Sequence, residues 1–130
     1  MTNVSRCDIP KVYAAKYKDR ESTFKSTSGG LFIPIAKSVL SMGGVVFGCA
    51  YDENLVAKHI EVENKDELYR LQSSKYVQSD LENTFVKIKK ELDSSRLVMF
   101  TGTPCQTAGL HNYLRKPYEN LIIVDFVCRA

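Results

Sequence analysis

The residues best suited to chemistry lie in the stretch Leu97–Leu110, where an apolar strand is followed by a small-residue turn and a helix. Thr101, Gly102 and Thr103 predict a tight turn in which Gly102 is free to take a positive φ, and the following proline suits a first helical turn. Cys105 then lies in the first turn of that helix, where unpaired N–H groups and the helix dipole favour the thiolate. A thiolate attacks carbon, transfers electrons or binds metal. The alternative is a small, buried and inert cysteine, and the sequence leaves both open.

Two other polar segments are candidate binding sites. Ser28, Gly29 and Gly30 precede a predicted helix, so their N–H groups could converge on a phosphate, although the segment matches neither a P-loop nor GxGxxG and could be only a helix cap. The second segment, Ser73–Ser79, contains a cation for a phosphate or a reduced flavin, a phenol that could stack and an amide for a heterocycle edge; a solvated loop is its alternative. These three side chains are Lys75, Tyr76 and Gln78.

Three single residues have simpler interpretations. His59 lies in an alternating strand, which favours a structural polar residue over a ligand or base. Asp125 ends a strand and could bind a ligand or cap a helix. Cys49 is interpreted as a core residue.

Composition limits the class of protein. A chain of 130 residues with a net charge of +3 suits one domain, 11–130, after a tail, 1–10. Its scattered basic residues do not favour a nucleic-acid partner. The four widely spaced cysteines contain no CxxC pair, which excludes a zinc finger and a complete local iron–sulfur motif. No apolar run suits a membrane span and no signal peptide is recognisable, so we expect a cytoplasmic protein.

The pattern of elements predicts an α/β fold. We expect a first strand at Lys11–Tyr17, a helix over LFIPIAKSVLS that stops at Gly43 and Gly44, and a hairpin that turns at Asp52–Asn54. A short helix over 65–72 and an amphipathic helix over 81–95, with Asp80 as N-cap, follow. The strand–turn–helix–strand unit then closes a mixed sheet with a right-handed parallel βαβ unit at the C-terminal end. Because the chain stops after that last strand, we expect a piece of a longer protein.

Several of these segments together resemble the coenzyme F420 hydrogenase/dehydrogenase beta-subunit family. The matching segments, in order from about residue 10 onwards, are STSGGLF, GGVVFGCAYDENL, HIEVEN, SSKYVQSDL, FTGTPCQTAGL and VDFVCR. The resemblance implies an oxidoreductase that uses FAD and iron–sulfur clusters to pass electrons between F420, or another reductant, and an acceptor. It also implies a redox partner protein or subunit.

The resemblance also implies site residues. The implied flavin site is formed by Ser28, Gly29, Gly30, Lys75, Tyr76, Gln78, Ser79, Thr101, Gly102, Thr103 and Gln106. Lys75 and the helix dipole at Cys105 would favour the anionic reduced flavin, which makes these two residues the implied catalytic pair. Cys105 and Cys128 match cluster ligands, and the remaining ligands of a 4Fe-4S cluster are absent from this chain.

Two hypotheses of other classes remain. A folded but inactive fragment could bind a partner subunit or form a homodimer through an open sheet edge. A cysteine-nucleophile enzyme built on Cys105 is less favoured, because neither His59 nor His111 has the context of a catalytic base.

Overall fold

The computed structural model describes residues 10–15, 18–19, 31–71 and 79–126. The elements in these ranges are helix α1 (Phe32–Ser41), strands β1 (Val45–Tyr51) and β2 (Ala57–Val62), a 3-10 helix (Lys65–Leu71), α2 (Thr84–Asp93), β3 (Val98–Gly102), α3 (Pro104–Leu114) and β4 (Leu121–Asp125). None of the helices in these ranges has both the length and the apolar content needed to cross a membrane.

The four strands form one mixed sheet in the order β2-β1-β3-β4. Strands β1 and β2 are an antiparallel hairpin, whereas β3 pairs parallel to both β1 and β4. Helix α3 connects β3 to β4, so these elements form a parallel βαβ unit. The predicted α/β fold with a central hairpin and a C-terminal βαβ unit is confirmed.

Helices cover both faces of the sheet. Because side chains alternate along a strand, Val45 and Phe47 of β1 point to one face and Val46 and Ala50 to the other. The first pair packs in a cluster with residues of α2 and α3, and the second pair packs with α1 and the 3-10 helix. Each fully buried aliphatic or aromatic side chain contributes roughly 1.5–3 kcal/mol of hydrophobic stabilisation, so the two clusters fix the sheet between two helical layers.

Helix α1 ends where the sequence predicts. Its C-terminal residues are followed by Gly43 at φ +80°, a left-handed conformation that glycine adopts without steric cost. The buried positions of the helix are Ile33, Ala36 and Val39, while Ile35 is 38% exposed.

The predicted first strand is wrong over its described part. Lys11–Ala15 is exposed and forms no strand, and residues 16–17 lie outside the described ranges. An alternating apolar pattern becomes a strand only where a neighbouring strand accepts its backbone hydrogen bonds, and these five residues pair with none of the four strands.

Asp80 is not the N-cap of the following helix. Its backbone pairs with β2, since its N–H donates to the Ala57 carbonyl at 2.9 Å and its own carbonyl accepts from the His59 N–H at 3.0 Å. This extended pairing delays the helix, and Asp80 Oδ1 instead accepts from the Glu82 N–H at 2.9 Å. Helix α2 therefore begins at Thr84.

Candidate functional site at the carboxyl edge of the sheet

The carboxyl ends of β1, β3 and β4 meet at one edge of the sheet, because these strands are parallel. Strand β2 begins at the same edge, where Ala57 is paired with Tyr51. In open α/β sheets this edge is the usual place for ligands. Five residues of the predicted site lie on or beside it: Thr101, Gly102, Thr103, Cys105 and Gln106.

A capping box holds the turn between β3 and α3. The Thr103 hydroxyl accepts from the Gln106 N–H at 3.3 Å, and the Thr103 N–H donates to Gln106 Oε1 at 3.0 Å. Pro104 occupies the first helical position, as predicted. Two backbone N–H groups of the turn are therefore satisfied by its own side chains.

A side chain at Gly102 would be crowded, and the glycine does not use the positive φ that is open to it. A Cβ on Gly102 would lie 2.8 Å from Gln106 Oε1 and 3.1 Å from Phe100 Cε1. Gly102 is buried, and the Gln106 side chain that caps the helix occupies the space where a side chain of residue 102 would lie.

Cys105 is exposed, so the alternative of a buried core thiol is wrong. Its Sγ lies 3.1 Å from the Thr103 hydroxyl oxygen. In the same helical turn the proline has no N–H, and the N–H groups of Gln106 and Thr107 donate to Thr103. No acceptor within the described ranges takes the Cys105 N–H, which leaves one backbone donor beside one exposed sulfur.

Asp125 ends β4 next to this turn. Its Oδ2 is 3.5 Å from the Thr107 hydroxyl, which donates at 3.0 Å to the Pro104 carbonyl. The carboxylate is exposed and caps no helix N-terminus among the described elements. An acceptor therefore lies on the same edge as the free donor of Cys105.

His59 connects two residues of the predicted site. Its ring reaches across β1 on the face of the sheet that carries Phe47 and stacks on Phe100, with the ring centroids 5.2 Å apart. The residue is buried, at 7% exposure. One ring nitrogen, Nε2, lies 2.9 Å from the Thr101 carbonyl oxygen, and the other, Nδ1, lies 2.7 Å from the Ser79 hydroxyl. Burial lowers the pKa of His59 below its ordinary value of 6.5, while the bond to the Thr101 carbonyl opposes this shift.

The interpretation of His59 as a structural polar residue agrees with this geometry, but its partners could not be predicted. They lie 20 and 42 residues away along the chain, and no local pattern encodes them. The capping box, by contrast, has a readable signal in the spacing of Thr103 and Gln106.

Ser79 is the other predicted site residue that the structure describes. Ser79 and the β3–α3 turn come together, whereas the others lie outside the described residues: Ser28, Gly29, Gly30, Lys75, Tyr76, Gln78 and Cys128. Within the described ranges, no group of three His, Cys, Asp or Glu residues is arranged to hold a metal ion. Cys49 is half-buried on β1 and lies opposite His59.

Comparison with known proteins gives a structural match but no sequence match. No protein-family profile matches the chain, and no curated protein matches it. A chain of the F420-reducing NiFe hydrogenase complex from Methanosarcina barkeri has a similar structure, with a TM-score of 0.59 and 18% sequence identity. The likeness shows the fold. It covers 72% of this chain and 33% of the hydrogenase chain, so the present chain spans about a third of that protein's length.

Proposed function

We propose that this chain is part of an oxidoreductase that uses FAD and iron–sulfur clusters to pass electrons between coenzyme F420, or another reductant, and an acceptor. The observation that carries the proposal is the junction at His59. It brings together the two most distinctive motifs of the family resemblance, since one ring nitrogen bonds Ser79, the last residue of SKYVQS, and the other bonds Thr101, which directly precedes GTPCQ. The fold shared with a chain of an F420-reducing hydrogenase complex supports the same reaction class.

The described residues fit one edge of a flavin. The N–H of Cys105 is a free donor, the Thr103 hydroxyl and the Asp125 carboxylate are acceptors, and the turn that carries them is already fixed by its capping box. A bound flavin accepts a hydride and releases electrons one at a time. The role of these residues is to bind and orient a polar ring edge without moving, since the cost of ordering the turn is already met by its own hydrogen bonds.

The described residues do not make an iron–sulfur site. A four-iron cluster needs four thiolates in the usual case, and the described ranges contain Cys49, half-buried on β1, and Cys105 at the sheet edge. We therefore propose Cys105 as one ligand of an iron–sulfur cluster. The resemblance implies Cys128 as a second ligand.

A redox partner subunit is part of the proposal. The hydrogenase chain with the similar fold belongs to a multi-protein complex. A fragment that only binds a partner or forms a homodimer remains the second candidate, because β4 is an edge strand with an almost wholly apolar sequence.

The cysteine-nucleophile hypothesis is weakened by the geometry. Both ring nitrogens of His59 already have partners, and His111 lies in the last turn of α3. Six residues separate His111 from Cys105, which is about 9 Å along a helix at 1.5 Å per residue. Neither histidine is placed to take a proton from Cys105.

An anaerobic titration of the chain with FAD, followed by absorbance and flavin fluorescence, tests the proposal. We expect flavin bands that stay with the protein through gel filtration, and weaker binding by Thr103→Ala. Ser94→Ala is the matched control, because this hydroxyl caps the far end of α2 and should leave affinity unchanged. If the protein elutes from gel filtration without flavin absorbance after incubation with excess FAD, the assignment of a flavin site to this chain is contradicted.

A further inference from the structure

We infer that His59 is a positioning residue that holds Ser79 beside Thr101 at the carboxyl end of β3, and thereby sets the spacing of these two residues of the proposed flavin site. The positioning role stands on the geometry of this chain. Only its effect on flavin affinity rests on the proposed function.

The ring has little freedom to move. It stacks on Phe100 at an interplanar angle of 24°, and Phe85 in turn contacts Phe100 edge-on with centroids 6.1 Å apart. Phe100 is itself fully buried in the core on that face. The imidazole is therefore fixed by packing, and its two nitrogens point to defined positions.

The two hydrogen bonds identify one neutral tautomer of His59. A carbonyl oxygen can only accept, so Nε2 carries the proton and donates to Thr101. The neutral ring then has a lone pair on Nδ1, which accepts from the Ser79 hydroxyl. Of the two neutral tautomers only this one makes both bonds, and burial favours the neutral form over the imidazolium.

The charged groups around the ring have other partners. Asp80 turns its carboxylate to the Glu82 N–H, and Lys58 pairs with Asp52 and Glu82. On β1 the residue opposite the ring is Cys49, and β3 presents an uncharged phenyl ring. The bond to Ser79 is therefore a neutral contact between the ring and the hydroxyl.

The bond to His59 is the shorter of the two hydrogen bonds of the Ser79 hydroxyl, at 2.7 Å. The alternative acceptor for its hydroxyl, the Asp80 carbonyl, is 3.5 Å away, which is a weak hydrogen bond. Backbone bonds to β2 fix Asp80, but these bonds do not reach β3. The imidazole is the side chain that spans from Ser79 to Thr101 across the intervening strand.

Amide hydrogen exchange by NMR on the full chain tests this role. The Asp80 N–H, which donates to Ala57, reports the local pairing, and the Val98 N–H, which donates to Asn120 at 2.9 Å, reports opening of the sheet. We expect Ser79→Ala to speed exchange at Asp80 by about three- to tenfold relative to Val98, the value of one neutral hydrogen bond. Ser79→Thr, which keeps the hydroxyl, should restore slow exchange.

Flavin affinity provides the second readout. His59→Ala and Ser79→Ala should each weaken FAD binding, and the double variant should weaken it by less than the product of the two single factors, because both single variants remove the same His59–Ser79 hydrogen bond. His111→Ala is the control histidine. Asp80 exchange that stays unchanged in Ser79→Ala, or that rises only in step with Val98, would overturn the positioning role. If Ser79→Ala speeds exchange at Asp80 relative to Val98 but the parent chain binds no FAD, the positioning role of His59 is upheld and the proposed function is refuted.

Discussion

Thr103 and Gln106 cap each other at the start of α3. Each side chain binds the other residue's backbone N–H, at 3.3 Å and 3.0 Å. Two N–H groups that would otherwise be unpaired at the helix end are thereby satisfied, and a cap of this kind contributes roughly 0.5–2 kcal/mol to stability. The capping also removes these two donors from ligand binding, and the Cys105 N–H is left without an acceptor among the residues that the structure describes.

Gly102→Ala should break this capping box. The new Cβ would lie 2.8 Å from Gln106 Oε1. It would also lie 3.1 Å from the Phe100 ring, so a shift of the Cβ away from Gln106 is hindered as well. We expect the free energy of unfolding to fall by about 1–2 kcal/mol, measured by urea denaturation. Gly109→Ala is the matched control: its Cβ would meet Phe85 at 3.5 Å, an ordinary contact, and should stabilise α3 by about 0.5–1 kcal/mol. Equal effects of the two substitutions would contradict the crowding at Gly102.

Cys105 should react with iodoacetamide several-fold faster than Cys49. The first thiol is exposed in the turn, and the second is half-buried on β1. The rates are measured by peptide mass spectrometry, which distinguishes the four cysteines of the chain. In urea the two rates should converge, since the difference arises from the fold. Equal rates for Cys49 and Cys105 in the native protein would contradict the greater exposure of the Cys105 thiol.

Stability should fall as the pH drops below neutrality because of His59. Its pKa is lowered in the folded state, mainly by burial, so the unfolded chain binds more protons as pH falls below 6.5. The stabilisation is complete above pH 6.5 and is lost as the pH falls through the folded pKa. His59→Gln should abolish this slope between pH 7.5 and 5 in urea unfolding, whereas His111→Gln should retain it. An unchanged slope in His59→Gln would assign the pH dependence to other groups.

Local patterns made much of the fold predictable. The stop of α1 at Gly43, the hairpin and the β3–α3–β4 unit are encoded by glycine, by period-two alternation and by the turn chemistry around Pro104. The errors have a common cause in long-range pairing. Asp80 resembles an N-cap but its backbone is held by β2, and Lys11–Ala15 resembles a strand but has no partner strand.

The location of the candidate site was predictable from the sequence, but the contacts between its side chains were not. The sequence indicates that Thr101 and Cys105 flank a strand-to-helix turn, and the exposed thiol agrees with this. That a histidine on β2 would bind the Thr101 carbonyl could not be inferred, because sequence spacing does not encode which strands are neighbours. Gly102 shows the same limit, since its role depends on where the Gln106 side chain lies.

Lys75→Ala should weaken FAD binding by about tenfold, or lower the flavin potential at unchanged affinity. This expectation rests on the family resemblance, which implies an ammonium beside the flavin; a charge-assisted contact contributes about 1.5–3 kcal/mol. Affinity is measured by flavin fluorescence and potential by dye-coupled reduction under argon. Lys116→Ala is the control, because this lysine lies 4.8 Å from the Tyr118 ring just beyond α3. If both variants bind FAD like the parent chain and show its potential, Lys75 is not part of the site.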